Sequence, residues 1–183
     1  MALLYLFLLI LCSFAALVLQ IFIPPLPWLH GAQVQLMPIV MFYGALALPY
    51  PAAMVLTFCC GLMWDLFSVQ VVDSSIEISL GWSILIYSVL GSMMHGFRPL
   101  FLKGRWEVHC LMTGIFTSGI LLVEYLAIIF RRHHAVFPPS VWWLTLGAGL
   151  VAMLLSPMVY WLLGRLAALV GYEADAPFFE EII

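Results

Sequence analysis

Cys59-Cys60-Gly61-Leu62-Met63-Trp64-Asp65-Leu66-Phe67-Ser68 closes an apolar run that begins at Leu36 and is interrupted only by Pro49-Tyr50-Pro51. It carries the sole carboxylate of the first seventy residues, Asp65. Gly61 precedes Asp65 by four positions, so on a helix the two share a face, one turn apart. A carboxylate in or beside lipid is costly. It needs a partner, a proton or water.

The run as a whole is thirty-three residues, Leu36 to Ser68. It forms either one kinked helix or two short helices in a hairpin. Two prolines flanking a tyrosine turn a chain better than they kink it. The expectation is therefore a hairpin, with arms near Val34–Leu48 and Ala52–Ser68.

Composition sets the solvent. Of 183 residues, 66% are hydrophobic and 8% are charged, against about 25% charged in a soluble domain. So few polar side chains cannot cover so apolar a chain, so most of its surface faces a lipid bilayer. The expected class is all-α: one polytopic bundle over residues 1–171, followed by a short acidic and aromatic cytoplasmic tail, 172–183. The net charge is −3, and no basic stripe points to nucleic acid. Cys12, Cys59, Cys60 and Cys110 lack CxxC spacing and read as small buried hydrophobes. With no basic residues ahead of it, the first apolar stretch reads as a retained span, not a cleaved signal.

Outward from the hairpin, the other spans follow. Ala2–Ile23 is uncharged and, at about 1.5 Å per residue, crosses a hydrocarbon core of roughly 30 Å. Pro24-Pro25-Leu26-Pro27 stops it. Val69–Ile78, with Asp73 and Glu77, reads as an extramembrane loop. Ser79–Phe97 is the fourth span, where Ser88, Ser92 and Gly96 make a small-residue stripe suited to helix packing. Val108–Phe130 is the fifth and contains Glu124. Val141–Gly164 is the sixth, opened by Trp142-Trp143 and kinked at Pro157. Arg165–Val170 is expected to continue along the membrane surface. Arg98, Lys103, Arg105 and Arg165 then lie on one side, Arg131 and Arg132 on the other. This bias favours both termini inside. A five-span chain, with Leu36–Ser68 as one helix or a re-entrant loop, is the alternative.

Asp65 and Glu124 both fall near the outer ends of their spans. They either line an outward pocket for a cation or for Arg131 and Arg132, or are satisfied by hydroxyls, water and neighbouring helices. Gly61, Trp64, Asp65 and Glu124 are the pocket or partner candidates. His95 with His109, and His133-His134, are weak metal or proton candidates, and no metal or cofactor is expected. Gly-x-Ser-x-Gly, HExxH and a glycine-rich phosphate loop are all missing. Thr117-Ser118-Gly119 has no base facing it that the sequence identifies. An enzyme is not expected.

The order of features, from Gln35-Leu36-Met37-Pro38-Ile39-Val40 through the proline hairpin to Cys60–Ser68 and then Leu80-Gly81-Trp82, resembles the rod shape-determining MreD family. The third span there commonly ends in Gly-x-x-x-Asp-Leu-x-Ser. The likeness covers the middle third of the chain by motif and the rest by hydropathy. It implies a non-enzymatic bacterial inner-membrane component of the cell-elongation, peptidoglycan-synthesising machinery. The implied partners are an MreC-like single-span protein and, through it, MreB, RodA and a class B penicillin-binding protein. The implied fold is similar to the six-helix substrate-binding subunit of energy-coupling-factor transporters. That similarity supplies an alternative function, a vitamin- or small-molecule-binding transporter subunit.

Overall fold

The structure is a computed structural model that describes residues 2–29, 31–68, 71–72, 75–76, 81–98, 106–132 and 138–172. Lys103, Arg105, His133, His134 and the tail beyond Tyr172 lie outside these residues, as do the side chains of Arg131 and Arg132. Among the described residues there are six α-helices: α1 (Ala2–Phe22), α2 (Met37–Ala47), α3 (Tyr50–Phe67), α4 (Trp82–Gly96), α5 (Trp106–Arg132) and α6 (Pro139–Leu169). Proline sets several of their starts. Pro38, Pro51 and Pro139 each occupy a first-turn position, where a missing N–H costs nothing. Leu36–Ser68 is thus two helices meeting at Leu48-Pro49, in keeping with the hairpin reading. In the loop that follows, β1 (Val71–Val72) pairs antiparallel with β2 (Ser75–Ile76).

Four helices, α1, α3, α5 and α6, are long and apolar enough to cross a membrane. The fold is a helical bundle of a membrane protein. Leu3, Phe7, Leu19, Phe22, Leu150, Leu154 and Met158 face outward, as lipid-facing side chains do.

At the centre lies α2. Every residue from Met37 to Ala47 is buried, and α1, α3, α4, α5 and α6 all contact it. A helix end inside protein leaves backbone groups that water cannot reach. Here other elements serve them. Gln20 Oε1 of α1 accepts from the N–H groups of Leu36 (3.0 Å) and Met37 (3.3 Å). At the other end, His95 Nδ1 of α4 lies 2.8 Å from the Ala45 carbonyl, and the Tyr172 hydroxyl donates to that of Ala47 at 3.2 Å. Tyr172 also stacks on Tyr5 with ring centroids 4.5 Å apart. The N-terminal end of α1 and the C-terminal end of α6 therefore share one end of the bundle, and successive helices alternate in direction.

One expectation is corrected. Arg165–Val170 does not form a separate surface segment: α6 runs unbroken to Leu169. Pro157 inside α6 removes the donor that would bond the Met153 carbonyl, and the Ser156 hydroxyl donates to that carbonyl instead, at 2.9 Å. The members of the Ser88, Ser92, Gly96 stripe of α4 differ in their surroundings. Gly96 is exposed with nothing within 4 Å of a Cβ built on it, and the Ser92 hydroxyl pairs with Tyr50 at 3.3 Å. The close approach is at Gly91, where a Cβ would strike Thr57 of α3. A second seam joins α5 to α6: a Cβ on Gly114 would lie 2.9 Å from the Gly149 carbonyl oxygen.

Candidate functional site

The stretch that opened the sequence reading forms a joint between α3 and the start of α4. A Cβ on Gly61 would sit 2.5 Å from Ile84 Cα and 2.9 Å from Ile84 N. Only hydrogen fits there, so the two backbones meet directly. One turn on, Asp65 is 3% exposed and grips the first turn of α4. Its Oδ2 accepts from the Gly81 N–H at 2.6 Å and its Oδ1 from the Ser83 N–H at 3.3 Å. Gly81, the N-cap residue, has φ +105 and no capping side chain of its own. Glycine is the residue that adopts this left-handed conformation without strain. Asp65 is in effect a capping carboxylate delivered from another helix. It meets the positive end of the α4 dipole, which favours a negative charge.

Trp64 and Glu124 extend this joint across the bundle. The Trp64 indole lies beside the Glu124 carboxyl group, and Asp65 lies within electrostatic reach of Glu124. The Trp64 ring also stands 6.5 Å from that of Tyr87 on α4. Tyr87 is fully buried and interacts electrostatically with both carboxyl groups. Its hydroxyl and Glu124 Oε1 are buried without a hydrogen-bond partner among the described residues. Buried polar atoms are nearly always paired, so this donor and this acceptor mark a place where the bundle has hydrogen-bonding capacity to spare.

The structure thus brings Gly61, Trp64, Asp65 and Glu124 together at one end of the bundle. Tyr87 joins them, though an aromatic residue inside a span gave no polar signal. The two carboxyl groups differ in use: Asp65 is bound by backbone N–H groups, and Glu124 lies beside the Trp64 indole. On the far side of Trp64, a cavity of about 580 Å³ opens between the end of α1, the Ile23–Gln35 crossing segment and the end of α3.

The two histidine candidates serve packing. His95 caps α2, and His109 is buried edge-on to Tyr160 at 6.5 Å. The Thr113 hydroxyl is 2.6 Å from that of Tyr160. Among the described residues no three His, Cys, Asp or Glu side chains are grouped to hold a metal.

The fold and this joint define a class, the helical membrane proteins. Beyond that class, no family model, no curated protein and no solved structure matches the chain.

Proposed function

We propose that this protein is a non-enzymatic membrane scaffold of the MreD kind, acting in bacterial cell elongation. The observation that carries the reading is the joint itself. The residues that resemble the family, Gly61 to Ser68 and Leu80-Gly81, are distant in sequence, yet Gly61, Asp65 and Gly81 work as one contact. A motif spent on joining two helices suits a protein whose task is to hold a shape and present a surface.

In this reading all six helices cross the inner membrane and both termini are cytoplasmic. At about 1.5 Å per residue, the 11 residues of α2 reach only about 16 Å. Protein walls it on every side, so lipid thickness does not set its length. The outward surface binds an MreC-like single-span protein, and through it MreB, RodA and a class B penicillin-binding protein.

The test is depletion in a rod-shaped host, with affinity isolation of the tagged protein. Rounded cells and co-isolation of a single-span partner are expected. Rods of normal shape with no such partner would refute the reading. Reporter fusions at both termini and in the 99–105 loop should all report the cytoplasm.

A further inference from the structure

We propose that the cavity beside Trp64 binds the uncharged, hydroxyl-rich headgroup of an amphiphile. The site does not depend on the role proposed for the chain, because the glutamines that define it lie outside the α3–α4 joint. At about 580 Å³, the cavity lies within the roughly 300–1,000 Å³ common for small-molecule sites.

Its chemistry is set by three glutamines. Gln20, Gln33 and Gln35 all line it. Gln35 is 4% exposed, Gln33 is exposed, and both side chains face the cavity they line. Gln20 uses its Oε1 to cap α2, which leaves its NH₂ as a donor. A primary amide offers one acceptor and two donors side by side. That pattern complements neighbouring hydroxyls, each of which both donates and accepts.

Among the described residues no ionisable side chain lines the cavity. A phosphate would find no arginine or lysine among them, and burying either sign of charge unpaired is costly. The ligand is therefore neutral. Trp64 contributes an indole, whose face packs against the apolar C–H face of a sugar-like ring. Ile21 and Phe22 line the cavity and are also exposed on the outer surface of α1, so an acyl chain can continue from the cavity into lipid.

Trp64 gives binding a route inward. It lines the cavity, and it also lies beside Glu124. A ligand resting on the indole holds the ring that neighbours Glu124.

The experiment uses the full chain in phospholipid nanodiscs, free of sugar-headed detergents, which would occupy the site. One arm adds diglucosyl diacylglycerol and reads retention by native mass spectrometry. The other adds free maltose and reads the thermal midpoint. Retention of the glycolipid, cut tenfold or more in Gln35→Leu, identifies a lipid headgroup as the source. A midpoint shift with maltose that Gln35→Leu abolishes identifies a soluble sugar. Gln33→Leu, at an exposed position, keeps the test valid should Gln35→Leu not fold, with a loss of about threefold expected. The proposal is overturned if neither probe binds, if the variants bind as wild type does, or if phosphatidylglycerol displaces the glycolipid at equal concentration.

Discussion

Gly61→Ala adds a single methyl group, and its effect should be large. That methyl would lie 2.5 Å from Ile84 Cα, 2.9 Å from Ile84 N and 3.0 Å from the Ser83 carbonyl oxygen. Carbon atoms pack at about 3.5–4.0 Å, and these neighbours are backbone, which no rotamer change can clear. The start of α4 must therefore retreat by about 1 Å or more to restore ordinary contact. Overpacking of this kind costs about 1–3 kcal/mol. The same retreat stretches the 2.6 Å and 3.3 Å bonds from Asp65 to Gly81 and Ser83. Bonds to a charged group contribute about 1.5–3 kcal/mol each, and losing part of them brings the total to about 3–5 kcal/mol. For a chain of this size the thermal midpoint falls by about 2–4 °C per kcal/mol, or about 6–20 °C in all.

The assay is the fraction of protein still monodisperse by size-exclusion after heating. Gly96→Ala is the control. With nothing within 4 Å of its Cβ, that change should be neutral or stabilise by up to about 1 kcal/mol. A Gly61→Ala protein as stable as wild type would refute the direct backbone contact on which the joint depends.

Other outcomes follow from the same geometry. Asp65→Asn keeps one acceptor and should cost about 1–2 kcal/mol, whereas Asp65→Leu orphans two N–H groups and should cost about 3 kcal/mol or more; thermal midpoints of the two variants would separate them, and equal tolerance would contradict the cap. Ser156→Ala should destabilise by about 1 kcal/mol, because the Met153 carbonyl then has no donor, and adding Pro157→Ala should restore the loss by returning the backbone N–H. A double variant no more stable than Ser156→Ala would show that the hydroxyl does not stand in for the missing amide.

Hydropathy made the helices legible, and prolines made the hairpin legible, because both act locally. The Gly61 and Asp65 face was legible for the same reason: four-residue spacing is a property of one helix. What Asp65 grips was not. Its partners lie 16 and 18 residues on, beyond a loop whose path sequence does not dictate. Counting residues from helix ends placed Glu124 level with Asp65, but nothing in the pattern showed that Trp64 would reach it.

Which face of α4 packs most tightly was not legible, for a physical reason. In a membrane helix the lipid-facing and protein-facing sides are both apolar. Ser88, Ser92 and Gly96 therefore form as good a pattern as the face that contains Gly91, and only neighbours distinguish them. Gln20 looked like the ordinary end of a span. Its role emerged only when α2 proved to be buried along its whole length, with ends that other elements must cap.

The joint between α3 and α4 can be observed at one amide. Glycine-selective ¹⁵N labelling gives a spectrum of the chain's 13 glycines, in which the Gly81 N–H, 2.6 Å from a buried carboxylate oxygen, should stand far downfield and resist hydrogen exchange. Asp65→Asn should move that one resonance upfield and speed its exchange, leaving the distant Gly114 and Gly149 resonances in place. A spectrum with no downfield, protected glycine amide, or one that Asp65→Asn leaves unchanged, would contradict the joint.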